Sequence, residues 1–308
     1  TPESRKEDQP IQNSDNNLIL VSDARIDNRQ DLMARLDCDA SREGQVTDAE
    51  LILESYQRWG TECANYLRGD FCFAIWDQSR KELYCARDPV ATRPFYFARV
   101  GGYFLFSSEI SGLFSFEDFS RKPDRTAIKQ WLTNETIPYK ATLFEGVEKL
   151  PAAHFLQFKD GIISTRRYWF PENIRINQKI SEQEATKEFN RLFRISIEHR
   201  IRCGEPVGCM VSGGLDSSAV YCVLHEMGRS QEIPAYSRTF GALETDETLY
   251  IDAVMTKTGG ESVTIQSDTL DYCDRYSVER LHSEPCDWPI GYAFTDMLAM
   301  LEQARDRS

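Results

Sequence analysis

Seven consecutive residues, Ser212-Gly213-Gly214-Leu215-Asp216-Ser217-Ser218, concentrate three hydroxyls, two glycines and a carboxylate directly after the apolar run at 207–211. Glycine has no Cβ atom, so backbone N–H groups beside it can approach an anion closely. If the turn opens a helix, the unpaired first-turn amides and the partial positive charge of the helix start add to the attraction. Ser212, Ser217 and Ser218 supply further donors. This combination suits phosphate binding in a backbone nest. Asp216 is out of place beside an anion unless it holds Mg²⁺ that bridges to phosphate oxygens. The stretch does not have the Gly-Lys-Ser/Thr ending of the kinase and GTPase loop. The plain alternative is a flexible Ser/Gly turn.

Such a loop needs a buried strand before it and a helix after it, and the second half of the chain supplies both. Residues 181–201 predict a helix with Phe189, Leu192, Phe193 and Ile197 on one stripe. Residues 207–211 predict a short buried strand. Residues 217–228 predict a helix with Val220, Val223, Leu224 and Met227 inward and Gly228 as its stop. A strand at 235–240, a helix at 245–260 ended by Gly259-Gly260, and a strand at 261–266 complete the alternation. Strand–helix–strand–helix–strand implies a parallel sheet, with ligands at the carboxyl ends of its strands.

The first half has a different rhythm. Residues 17–172 hold aromatic and β-branched runs punctuated by turn signals such as Gly101-Gly102 and Asp160-Gly161. One helix interrupts at 47–60, with Leu51, Ile52, Ser55, Tyr56 and Trp59 on a face, Thr47 or Asp48 as its cap and Gly60 as its end. This half reads as an α+β layered domain, and a linker at 170–179 follows it.

Composition narrows the classes. A chain of 308 residues is long enough for about two domains. The net charge of -13 argues against nucleic acid or an anionic membrane as the main partner. No stretch reaches the roughly 18–20 apolar residues of a membrane span, and the first seventeen residues are polar rather than signal-like. The nine cysteines form no Cys-x-x-Cys pair, and His154, His199, His225 and His282 make no ligand-spaced cluster with them. Zinc is therefore not expected, and reduced, buried thiols in a cytoplasmic protein are.

The 212–218 string resembles the pyrophosphate loop of ATP pyrophosphatases. Residues 87–98, 106–113 and 144–158 resemble the glutaminase domain of asparagine synthetases and the segment leading out of it; 250–261 and 283–289 resemble the stretches after the loop. The shared order of these strings, over about residues 17–308, resembles the asparagine synthetase family. The resemblance implies an N-terminal-nucleophile-type αββα domain at 1–172 and an α/β parallel-sheet ATP-pyrophosphatase domain at 181–308. It also implies a reaction. A carboxylate, aspartate's β-carboxylate in the family, is adenylated by ATP with release of pyrophosphate, and ammonia from glutamine displaces AMP. Carried over by position, Met210, Ser212, Gly213, Gly214, Asp216, Ser217, Ser218, Ser237 and Arg238 form the ATP site. Asp216 is the Mg²⁺ ligand, and Glu284 lies by the acyl substrate, with a solvated loop carboxylate as the alternative. Asp48 matches a contact to the ammonium of glutamine.

The departures concern glutamine. The family uses an N-terminal cysteine nucleophile, and Thr1 does not match it, so no catalytic residue for glutamine hydrolysis is identified. The start at Thr1, and an end in a helical pattern at 301–308, suggest a fragment cut at both ends. Where the family has Asn-Gly-Glu, this chain has Asp23-Ala24-Arg25. Asp23 would repel an oxyanion, and Arg25 would repel an ammonium. In the alternative, Arg25 pairs with Asp23 or Asp27 on a solvated strand edge. Three readings follow: a glutamine-dependent asparagine synthetase; an adenylating cyclase of the lasso-peptide or β-lactam type with an inactive glutaminase domain; or a non-catalytic relative. The partners expected are small molecules (aspartate, glutamine or ammonia) with no nucleic acid and no membrane, and a homodimer is the assembly considered.

Overall fold

The computed structural model describes residues 1–15, 17–39, 44–241, 246–266, 300–302 and 304–305. The chain divides into two compact units, the first spanning Glu3–Ile176 and the second beginning at Asn177.

The first unit starts with the short strand β1 (Ile11–Gln12), then β2 (Leu18–Ile26), helix α1 (Arg29–Arg35) and helix α2 (Asp48–Trp59). Strands β3 (Gly69–Asp77), β4 (Glu82–Arg87), β5 (Tyr96–Val100) and β6 (Tyr103–Ser107) follow. Helices α3 (Ile110–Leu113) and α4 (Arg125–Leu132) precede β7 (Glu148–Lys149), β8 (His154–Lys159) and β9 (Ile162–Arg167). Six strands form one antiparallel sheet in the order β1-β2-β3-β4-β8-β9, and three form another in the order β6-β5-β7. Successive strand residues point to opposite faces, which explains the layering. Phe71, Phe73 and Ile75 of β3 meet Leu20, Tyr84 and the helical residues Ile52 and Tyr56. The intervening Cys72 and Ala74 point the other way, to Phe95, Phe97 and Leu156 between the two sheets. On the far side of β5, Tyr96 and Ala98 pack on Ile110 and Leu113 of α3. Helix, sheet, sheet and helix thus stack as four layers, the αββα arrangement. Phe104 and Phe158 stack at 4.9 Å between the sheets.

Local chemistry sets the boundaries. Thr47 caps α2 in a capping box: its side chain accepts from the Glu50 amide at 3.1 Å, and the Glu50 carboxylate accepts from the Thr47 amide at 2.7 Å. Asp48 is therefore the first helical residue and not the cap. Asp160 and Gly161, with φ of 49° and 78°, turn the β8–β9 hairpin, and Gly101 and Gly102, at 55° and 89°, turn β5 into β6.

In the second unit, helix α5 (Glu182–Arg200) leads to β10 (Cys209–Met210) and helix α6 (Leu215–Glu226). Strand β11 (Ala235–Thr239), helix α7 (Thr248–Thr258) and strand β12 (Ser262–Gln266) complete the alternation. The three strands are parallel in the order β10-β11-β12. Tyr221 and Leu224 of α6, Val254 of α7 and Ile197 of α5 share a core with Val211 and Ala235. The α5 stripe is buried only at its C-terminal end: Phe189 and Leu192 are 64% and 50% exposed, while Ile197 is buried. No helix among the described residues is long and apolar enough to cross a membrane.

Candidate functional site

The polar loop lies where β10 ends and α6 begins, at the carboxyl edge of the parallel sheet. Its glycines have separate jobs. Gly213 adopts φ +81°, and a Cβ there would lie 3.0 Å from the Tyr250 Cβ and 3.1 Å from the Glu247 carbonyl oxygen. The loop therefore packs directly against the first turn of α7. Gly214 is the N-cap of α6 and no side chain caps that helix, so its first-turn amides face outward without intrahelical acceptors.

The three serines also divide the work. The Ser212 amide donates to Ser217 Oγ at 3.1 Å, the two hydroxyl oxygens are 3.0 Å apart, and Ser217 Oγ donates to the Gly214 carbonyl at 3.3 Å. Ser217 thus holds the loop in shape. Ser218 Oγ is buried and has no hydrogen-bond partner, and neither does Ser237 Oγ on β11. An orphaned buried hydroxyl costs free energy unless something completes it. Ser218 lies in the first turn of α6 and Ser237 in β11, the strand paired with β10, so the donor set fits a phosphorylated ligand. Asp216 is exposed in the first turn of α6, and Met210 is exposed at the end of β10. Arg238 lies over the Phe240 ring at 5.1 Å. After β11, Asp246 accepts from the Phe240 amide at 2.6 Å and the Thr248 amide at 2.9 Å. The Thr248 hydroxyl, with these amides, holds its carboxyl below the ordinary range. No group of three or more His, Cys, Asp or Glu side chains that could hold a metal occurs among the described residues. A single exposed carboxylate such as Asp216 suits a Mg²⁺ ion that would take its other ligands from a bound phosphate and water. Glu284 and the rest of 283–289 lie outside the described residues.

The glutamine-related residues lie in the first unit. Asp23, Ala24 and Arg25 are paired with Cys72, Phe71 and Asp70 of β3, so β2 is bonded along its length there. Arg25 Nε donates to Asp27 Oδ1 at 3.0 Å, and both side chains are largely buried, so this pair is not on a solvated edge. Asp23 lies 3.5 Å from Arg93 Nε and lines a cavity of about 160 Å³ with Ser22, Cys72, Phe95, Phe106 and Ser107. Burial pushes the Cys72 thiol up to about 12, which suits a packed thiol and not a nucleophile. Asp48 is buried against Arg29, whose Nη1 donates to Asp48 Oδ1. The sequence reading did not single out Arg29; nothing in spacing alone ties it to a carboxylate nineteen positions on.

Two further residues explain the 87–98 string. Asp88, fully buried, accepts from the amides of Val90, Thr92 and Arg93 at 3.0, 3.0 and 3.1 Å. The Arg87 guanidinium donates to the carbonyls of Arg93, Leu150 and Ala91. Together they lock the turn that carries Arg93. An aspartate before proline is a turn signal, and that is the cue the sequence offered.

Comparison with known proteins agrees with these two architectures. Residues 3–169 match the glutamine amidotransferase domain family, and residues 188–306 match the asparagine synthase family. A glutamine amidotransferase domain followed by an asparagine synthase domain is the class that fold and loop define. The chain belongs to the asparagine synthetase family. It is similar to asparagine synthetase [glutamine-hydrolyzing] 3 of Bacillus subtilis, at 29% identity over 66% of this chain and 33% of the relative. A putative asparagine synthetase of Methanocaldococcus jannaschii is 28% identical over 77% of this chain and 46% of the relative. The chain thus spans less than half the length of these relatives. Among solved structures, the B. subtilis glutamine phosphoribosylpyrophosphate amidotransferase aligns with a TM-score of 0.34 and 14% identity, over 91% of this chain and 54% of that one.

Proposed function

We propose that the full-length protein is an ATP-dependent asparagine synthetase of the glutamine-hydrolysing type, working in the cytoplasm. The observation that carries this reading is the 212–218 loop at the carboxyl edge of the parallel sheet, with the buried hydroxyls of its Ser218 and of Ser237 on the neighbouring strand β11 unpartnered. On this reading residues 181–308 belong to the synthetase domain and residues 1–172 to the glutaminase-like domain. Aspartate's β-carboxylate attacks the α-phosphorus of ATP, pyrophosphate leaves, and ammonia then displaces AMP to give the amide. The amides of Gly213, Gly214 and the α6 start, with Ser212 and Ser218, hold the leaving phosphates, and Ser217 keeps the loop in register. Met210, Ser237 and Arg238 border the nucleotide, and Glu284 serves the acyl substrate. Asp216 is the chain's ligand to Mg²⁺, which when bound offsets phosphate charge.

A second reading has specific support. Asp23, Arg25 and Asp48 are each engaged by the chain's own Arg93, Asp27 and Arg29. Such internal pairing favours an adenylating cyclase whose glutaminase domain is inactive and whose amine is not ammonia. ATP–pyrophosphate exchange by the full-length protein separates the two. Exchange that depends on aspartate supports the synthetase. Exchange that ignores aspartate and responds to a peptide or amino-acid-derived carboxylate supports the cyclase.

A further inference from the structure

Asp48 and Arg29 form a buried pair. Asp48 is 1% exposed and Arg29 is 8% exposed. Arg29 Nη1 donates to Asp48 Oδ1, and its Nη2 donates to the Val46 carbonyl. Its Nε lies 3.9 Å from Glu3. The second oxygen of Asp48 accepts from the Thr1 hydroxyl at 3.3 Å. Both oxygens of a buried carboxylate are thus answered from within the chain. Because Asp48 is almost wholly buried, a substrate ammonium reaches its oxygens by displacing the guanidinium that Arg29 presents to it or the Thr1 hydroxyl.

We propose that Arg29 is a specificity-determining residue, an internal competitor that occupies Asp48 in place of the glutamine α-ammonium. This inference rests on the reading of Asp48 as a glutamine contact. Glutamine affinity is then set by the free energy of prising Arg29 away.

The test is glutamine binding to the full-length protein by equilibrium dialysis, for wild type, Arg29→Gln and Arg29→Lys. Wild type should bind in the millimolar range or weaker. Arg29→Gln should bind about tenfold tighter or better, and Arg29→Lys should stay near wild type because a cation still faces Asp48. A damaged fold does not gain affinity, so the expected change is one that a merely structural role would not produce. Unchanged or weaker binding by a folded Arg29→Gln would overturn the inference. Micromolar binding by wild type would overturn it without any variant. Glutamine hydrolysis by the same proteins reports on the donor separately. Tighter binding without hydrolysis keeps the role of Arg29 and removes glutamine as the nitrogen source. Hydrolysis with an affinity indifferent to residue 29 does the reverse.

Discussion

Gly213→Ala is the substitution that most directly probes the phosphate loop. Two costs can be worked from the geometry. An L-residue at φ +81° carries about 1 kcal/mol of left-handed strain. The new methyl would meet the Tyr250 Cβ at 3.0 Å and the Glu247 carbonyl at 3.1 Å; relieving contacts that tight costs roughly 1–3 kcal/mol. The sum, about 2–4 kcal/mol, falls on the loop and on the start of α7, where it shifts the amides proposed to bind phosphate from their observed positions. At one factor of ten per ~1.4 kcal/mol, ATP–pyrophosphate exchange should fall roughly 30- to 1,000-fold. Gly228→Ala is the matched control. Gly228 has φ +72° but nothing within 4 Å of a new Cβ, so only the conformational cost of about 1 kcal/mol applies. That variant should melt slightly earlier and exchange pyrophosphate as wild type does. Wild-type exchange by Gly213→Ala, or equal losses from both variants, would refute the argument that contact with α7 shapes the loop.

Further tests follow from single residues. Ser218→Ala removes a buried hydroxyl without a partner, so thermal stability should hold or rise slightly, while the KM for ATP rises about tenfold; reduced stability with unchanged KM would argue against a ligand contact. Asp216→Ala should lower pyrophosphate exchange by about 100-fold or more through loss of the proposed Mg²⁺ contact, measured with saturating Mg²⁺ and ATP. Asp88→Ala strands several buried amides around 88–93, so urea denaturation should show a loss of roughly 3–5 kcal/mol in the first unit.

Much of the second unit is legible from its order of strands, glycines and apolar positions. Gly259 ends α7 in the left-handed conformation, and Gly228 follows α6 with φ +72°, as their places after apolar periodic segments suggest. Tyr221 is the most buried residue of α6, with its hydroxyl donating to the Ser230 and Ile233 carbonyls. Polarity hides such a residue from a reading based on apolar stripes. The glycines of the loop suggest close approach by an anion, yet Gly213 is also required by a neighbouring helix, and that contact spans more than thirty positions of chain. In the first unit, alternation identifies strands but not their partners. The order β1-β2-β3-β4-β8-β9 pairs β4 with a strand some seventy residues away, a choice made by packing against Tyr84 and Phe155 rather than by any local signal. The Arg29–Asp48 pair is hidden for the same reason.

The bare start of α6 links ligand to fold. A Cβ at Gly214 would meet only Ser212 Oγ, at 3.4 Å, so an ordinary capping side chain has room there, and the helix begins without one. On the proposed reading the phosphate is the missing cap, and the ligand completes a secondary-structure element as well as occupying a site. Saturation and folding of the second unit are then one equilibrium seen from two sides, with ligand at a hundred times its dissociation constant adding about 2.7 kcal/mol. The nucleotide supply of the cell would in that case govern how long this helix persists, and not only how fast it works.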